Sequence, residues 1–380
     1  MGKKFRVAMI GQKRIPSREG GVEIVVNELS TRLVKKGYEV DAYNRSGYHV
    51  SGKEFQKKGK RGKYYENIRV IIVPTFKNGK LNAIVYSFLA TLRALFGKYD
   101  VIHYHAEGPC AMLWIPKIFG IRIVATIHGL DWQRAKWGNF ASYVLRFGEK
   151  MAAKYADEVI VLSKNVQNYF TMTYGRDTNY IPNGIEKPIL REANIIENEY
   201  GLYKDSYILF LARLVPEKGL HYLLEAFRKV KTEKRLVVAG GSSHSYDYID
   251  KVKKMAEKDK RVIFTDFVQG ETLEELYSNA YIFVLPSDVE GMAISLLEAM
   301  SYGNCCLVSD IKENTEVIGL NGVLFEKGNV ADLREKLCYL LDSEEVVKKY
   351  KHEASDFICA KYSWEDVLKE TEKLYKGKRY

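Results

Sequence analysis

The sequence predicts an α/β protein of two doubly wound, Rossmann-like domains, and three observations predict it. At 380 residues the chain is too long for one ordinary core. Short apolar runs alternate with helical segments in both halves, which specifies parallel strands covered by helices. A turn-rich peptide, Asn179-Tyr180-Ile181-Pro182-Asn183-Gly184, separates the halves. The strands expected in the first half are 6–10, 38–43, 68–73, 100–104, 121–127 and 158–162, with a helix over 21–36 behind the first. Those of the second half are 207–211, 235–239, 262–264, 281–285 and 305–309. The domains are expected at 1–184 and 185–360, with 361–380 crossing back onto the first. Ligands of such sheets bind beyond the carboxyl ends of the strands, here expected to open on a central cleft, so the loops after the strands carry the chemistry.

Bulk properties narrow the function. Hydrophobic residues make up 46% of the chain, enough for buried sheets. No run of 18 uncharged apolar residues occurs, and the basic start MGKKFR leads straight into a strand, so a cytoplasmic protein is expected. The five cysteines are odd in number and lack C-x-x-C spacing, as in reduced core thiols. Residues 1–186 hold 30 Lys and Arg against 15 Asp and Glu, whereas residues 187–380 hold 29 against 33. A basic first half points to an anionic partner. Zinc-finger, RNA-recognition and helix-turn-helix patterns are absent, so the inner face of a membrane is preferred over nucleic acid. The segment Lys53–Lys63, KEFQKKGKRGK, reads as a basic loop, and the apolar helix over 77–99 as a buried element or a surface attachment.

In the second half, strand 207–211 runs into Ala212-Arg213-Leu214-Val215-Pro216-Glu217-Lys218-Gly219. The guanidinium of Arg213 offers a fixed fork of donors and the Lys218 ammonium a mobile charge, a pair suited to a diphosphate or simply to a solvated basic loop. Small residues at Gly240 and Gly241 let a ligand approach the backbone. Phe267 and Val268 follow the next strand, where they could meet a base. After strand 281–285 comes Glu290-Gly291-Met292-Ala293, then Glu298. A helix beginning near Gly291 would place three amides at a phosphate and Glu298 about 10 Å further on, at a ribose.

In the first half, strand 6–10 ends in a long basic loop that delivers Gly20-Gly21 to a helix start. It is not the dinucleotide fingerprint, since its paired glycines come too late. Strand 121–127 ends in His128-Gly129-Leu130-Asp131-Trp132, whose histidine is either structural or a proton-handling group and whose tryptophan is either packed or stacked on a sugar. His103 and His105 share one face of DVIHYH, with His105 nearer the strand end and expected to line the cleft. No third ligand of metal spacing accompanies them.

The Arg213-x4-Lys218 loop, the Pro182-Asn183-Gly184 turn and the Glu290-x7-Glu298 block, in this order, resemble glycosyltransferase family 4, retaining enzymes of GT-B fold. The resemblance covers essentially the whole chain. It implies that Arg213 and Lys218 bind the donor diphosphate, that Glu298 holds the ribose, and that Glu290 with Gly291, Met292 and Ala293 contacts the transferred sugar. It further implies that Gly20-Gly21 closes over the donor phosphate and that His128 contacts the donor sugar. The stretch HGLDWQRAKWG and the opening IGQKRIPSREGGVE are similar to a bacterial subgroup with capsule and exopolysaccharide rhamnosyltransferases, although Gln12, Lys13 and Ser17 depart from its usual opening. The expected donor is therefore a UDP or dTDP sugar, used without metal or cofactor. The expected acceptor is a lipid-linked saccharide met by His105, Asp131 and Trp132. A nucleotide-sugar epimerase or hydrolase of the same fold, and a non-catalytic basic binding protein, are the alternatives.

Overall fold

The computed structural model describes residues 4–47, 64–75, 79–133, 138–241 and 245–377. The basic segment Lys53–Lys63 lies outside the described residues. The chain divides into two compact units, Met1–Gly184 with Trp364–Tyr380, and Ile185–Ser363.

The first unit runs β1 (Arg6–Ile10), α1 (Gly21–Lys35), β2 (Glu39–Arg45), β3 (Tyr64–Tyr65), β4 (Ile68–Val73), α2 (Gly79–Leu95) and β5 (Val101–His105). It continues with α3 (Glu107–Cys110), α4 (Trp114–Ile118), β6 (Arg122–Ile127), α5 (Asn139–Tyr155), β7 (Glu158–Val161), α6 (Lys164–Tyr174) and β8 (Asn179–Tyr180). The second unit runs α7 (Ile195–Tyr200), β9 (Tyr207–Leu211), α8 (Leu220–Phe227), β10 (Arg235–Ala239), α9 (Tyr246–Ala256), β11 (Val262–Asp266), α10 (Glu271–Asn279) and β12 (Ile282–Leu285). It ends with α11 (Ile294–Ser301), β13 (Cys305–Ser309), α12 (Lys312–Ile318), β14 (Val323–Phe325), α13 (Val330–Asp342) and α14 (Glu344–Lys361); α15 (Trp364–Lys376) then returns to the first unit.

The first sheet has eight strands in the order β3-β4-β2-β1-β5-β6-β7-β8. Its pairs are parallel apart from the short β3–β4 ribbon. The second has six parallel strands in the order β11-β10-β9-β12-β13-β14. Strand order reverses between β1 and β5 in one sheet and between β9 and β12 in the other. These are the switch points where helices diverge to opposite faces and leave room for a ligand.

Parallel strands buried on both faces need continuous apolar runs, and β1, β9 and β12 supply them, whereas β5 is as fully buried but carries His103 and His105. Right-handed crossovers place α1 on one face of the first sheet and α2 to α6 on the other. The returning α15 packs beside α1, and its Tyr375 is buried against His103. One helix start differs from expectation. Residues Gly291, Met292 and Ala293 form a buried loop, and α11 begins at Ile294. Glu298 is thus about one turn into the helix, roughly 6 Å from its start rather than 10 Å.

Candidate functional site

At the switch point of the second sheet, the loop after β9 turns through Pro216–Lys218 into Gly219, whose φ is 68°. A Cβ on Gly219 would stand 1.9 Å from the Pro286 carbonyl oxygen, so glycine alone lets this loop lie against the loop after β12. The two loops are also tied by Asp288 N–H donating to the Glu217 carbonyl at 2.9 Å. This close seating brings the Lys218 ammonium onto the Glu290 carboxylate as an ion pair. Both side chains are largely enclosed, at 14% and 6% exposure.

Glu290 is held from a second side. Ser287 Oγ donates to Glu290 Oε1 at 2.6 Å, Ser309 Oγ donates to the Ser287 carbonyl at 2.5 Å, and Asn314 Nδ2 donates to Ser309 Oγ at 3.1 Å. Hydrogen bonds to a charged acceptor are roughly twice as strong as neutral ones, so this relay fixes the carboxylate. Asp288, beside it, accepts from Tyr222 OH at 3.3 Å, and burial raises its pKa. Glu298 projects from α11 and accepts from Tyr277 OH at 3.1 Å. Tyr277 in turn stacks on Tyr302, with centroids 5.2 Å apart.

The neighbouring strand ends complete the arrangement. Gly240 has a φ of 139°, and a Cβ there would meet the Ala212 carbonyl oxygen at 1.9 Å. Gly240 N–H donates to the Asp266 carbonyl at 2.7 Å, and Leu214 N–H to the Gly241 carbonyl at 3.2 Å. Phe267 lies next to Gly241, and both Phe267 and Val268 are half-buried. Arg213 is half-buried in the same loop as Lys218. The structure thus gathers Arg213, Lys218, Gly240, Phe267, Glu290 and Glu298 around the ends of β9, β10, β11 and β12. Lys218 and Glu290 are in direct contact.

The first unit repeats the backbone device with charges of its own: Arg45 Nη2 donates to the Gly11 carbonyl at 3.4 Å, and Lys13 pairs with Glu19 at 3.3 Å. Gly11, with a φ of 134°, beds on β5 so that a Cβ would meet the His105 carbonyl oxygen at 2.0 Å. The loop to Gly20-Gly21 is packed down: Gln12 and Ile15 are fully buried, Ile15 N–H donates to Asn44 Oδ1 at 3.1 Å, and Lys13 N–H donates to Glu23 Oε1 at 2.9 Å. Gly20 is the N-cap of α1 and Gly21 its first residue.

Beyond the switch, three histidines form a chain. His103 Nδ1 meets Tyr375 OH and its Nε2 meets Thr126 Oγ1, each at 2.7 Å. The His103 and His105 rings are 4.1 Å apart, and His105 Nδ1 is 3.1 Å from His128 Nε2. Burial pushes the His103 pKa down to about 3 and that of His105 well down, so both are neutral. The expectation that His105 lines an open surface is corrected: it is 0% exposed, enclosed between His103 and His128. His128, at 9% exposure, is the least enclosed of the three.

Trp132 is more a packing group than an open platform. Its Nε1 donates to Glu149 Oε2 at 3.1 Å, and the Arg146 guanidinium lies 4.1 Å from its ring centroid. Asp131 is tied by its backbone N–H to the Glu107 carboxylate at 3.1 Å. Among the described residues no group of three or more His, Cys, Asp or Glu could hold a metal ion.

Sequence reading missed Ser287, Ser309, Asn314 and Tyr277. Ser287 had a local signal, a serine three residues before the glutamate on the same loop. Ser309 and Tyr277 join positions more than twenty residues away, and Asn314 enters only through Ser309.

This pair of parallel-sheet α/β units is the GT-B architecture, and residues 193–376 match the family described as Glycosyl transferases group 1. Residues 19–187 match that described as Glycosyltransferase Family 4. The chain is a glycosyltransferase, built from a family 4-like domain followed by a group 1 domain. It is 27% identical over 399 residues to an uncharacterised glycosyltransferase of Methanocaldococcus jannaschii, covering 98% of each. It is 24% identical to the capsular polysaccharide biosynthesis glycosyltransferase CapM of Staphylococcus aureus, covering 83% of this chain and 87% of that one. In fold it is similar to Anabaena HepE, solved with UDP-glucose, with a TM-score of 0.81, 16% identity, and coverage of 99% and 100%.

Proposed function

We propose that the protein moves a hexose or deoxyhexose, rhamnose among the candidates, from a UDP or dTDP sugar to a lipid-linked saccharide in bacterial surface polysaccharide synthesis. The observation that carries this reading is the Lys218–Glu290 pair at the switch point of the second sheet. Likeness to a capsular polysaccharide transferase and to a fold neighbour solved with UDP-glucose supports it.

In this reading Lys218 and Arg213 take the diphosphate oxygens and Glu298 the ribose hydroxyls. Phe267 and Val268 border the base, and the backbone at Gly20, Gly21 and Gly240 admits the phosphates. Glu290, with the amides of Gly291, Met292 and Ala293, holds the sugar, and the part proposed for His128 is a donor-sugar contact. The bond from the anomeric carbon to the phosphate oxygen breaks as the acceptor hydroxyl forms its own bond to that carbon. The hydroxyl proton passes to the departing diphosphate, and anomeric configuration is retained. Lys218 and Arg213 offset the growing phosphate charge, so transfer runs without a metal. Asp131 and Trp132 serve the acceptor side. His105 acts behind His128 by fixing its ring.

The first unit works at the inner face of the membrane that carries the acceptor. No helix among the described residues is long and apolar enough to cross a membrane. Thermal stabilisation against UDP, dTDP, GDP and their sugar conjugates tests the donor assignment. A nucleotide at about 100 times its Kd adds roughly 2.7 kcal/mol of stability. Product analysis then separates transfer from the release of free sugar or epimer without acceptor, either of which would overturn the reading.

A further inference from the structure

We propose that the outer face formed by α2, α4 and α5 of the first unit is a docking surface for an anionic lipid bilayer. This deepens the membrane contact of the proposed function by assigning it to a particular surface, and it rests on that reading only for its purpose.

The face is apolar where a solvent-facing helical layer should be polar. Phe96 is 85% exposed, Ile118 72%, Tyr143 69% and Phe140 65%, with Phe88 and Phe147 also exposed. Of the seventeen exposed large hydrophobic side chains among the described residues, nine lie on α2 to α6 or directly beside them. Scattered exposed apolar groups are ordinary, but a cluster of this kind marks an interaction surface. The residues also share a layer, since α4 packs against both α2 and α5. On α5, Phe140, Tyr143 and Phe147 recur at helical spacing on the side away from buried Leu145, Gly148 and Ala152.

Charge selects the occupant. Arg93, Arg146, Lys150 and Lys154 are exposed among these rings. The five helices α2 to α6 contain two carboxylates, Glu107 and Glu149, and both are 0% exposed. Glu149 is spent inside, accepting from Trp132, Tyr169 and Tyr174. The opposite face of the same sheet is different: α15 exposes Glu365, Asp366 and Glu370. A second copy seated on the aromatic face would set cation against cation with no exposed carboxylate to offset them. Lipid phosphates supply the missing charge, and aromatic rings settle at the headgroup level.

The test is sedimentation of the full chain with vesicles of phosphatidylcholine alone and of phosphatidylcholine mixed with phosphatidylglycerol. Wild type is expected to pellet with the mixed vesicles and to stay in solution with the neutral ones. Arg146→Glu with Lys150→Glu should lower partitioning at least about tenfold. Phe140→Ser with Tyr143→Ser should remove the binding that persists in high salt, where charge is screened. Lys369→Glu, on α15, should bind as wild type does. Vesicle binding needs no turnover, so stabilisation of these variants by donor nucleotide reports separately on the transferase assignment. Equal binding of wild type and the Arg146/Lys150 variant would overturn the proposal. So would a solution dimer that Phe140→Ser with Tyr143→Ser converts to monomer.

Discussion

The switch points of the two sheets share one backbone design and differ in charge. In each, a glycine beyond the first strand beds on a carbonyl across the switch, Gly11 on His105 and Gly219 on Pro286. The first sheet then presents two neutral, buried imidazoles, His103 and His105, behind His128. The second presents an ammonium against a carboxylate. Identical close packing therefore serves two chemistries. Neutral imidazole suits sugar hydroxyls, to which it can donate or accept, whereas a fixed ammonium suits phosphate oxygens.

The sharpest way to break this contrast is Lys218→Ala. Loss of a charge that acts in the transition state is expected to cost about 10²- to 10³-fold in turnover, read by transfer assays with the correct donor. Near-normal turnover would dissolve the difference between the units.

Acid should separate the units next. His103 and His105 have folded pKa values far below the ordinary 6.5, so below that pH the unfolded chain binds protons that the folded chain does not. Their contribution therefore turns destabilising as pH falls through about 6.5, and the loss continues down to the depressed folded values. From about pH 5.5 to pH 4, His103 alone, with its folded value near 3, should remove about 1.4 kcal/mol of stability per pH unit, and His105 adds a loss of the same sign. Urea unfolding at several pH values measures this slope, and His105→Gln should reduce it.

Smaller effects test the supporting residues. Glu298→Ala should weaken nucleotide binding by about 1.5–3 kcal/mol, the range for hydrogen bonds to a charged group, as measured by calorimetry. Ser287→Ala removes one bond to a carboxylate that keeps its Lys218 partner. It should lower turnover about fivefold to tenfold and leave the fold unchanged.

Much of this was legible in the sequence. Strand alternation pointed to two parallel sheets, and the loops carrying Arg213, Lys218 and Glu290 stand out because strand ends in such sheets are where ligands bind. The start of α11 was not legible. Met292 and Ala293 are compatible with a helix, yet they are buried in the loop that sets Glu290 against Lys218. The enclosure of His105 was hidden for another reason. Alternation in β5 places His103 and His105 on one face, but the groups around them come from elsewhere: His128 follows β6, and Tyr375 of α15, which meets His103, lies 272 residues along the chain. The Asn314–Ser309–Ser287 relay likewise depends on the pairing of β12 with β13.

In the proposed function the second unit holds the nucleotide diphosphate by charge and the first does not. Calorimetric titration of the best-stabilising nucleoside diphosphate into wild type, Lys218→Ala and His105→Gln tests it directly. At least about a tenfold loss of affinity is expected in Lys218→Ala, near 1.4 kcal/mol, with wild-type affinity in His105→Gln. Unchanged binding in Lys218→Ala would contradict it.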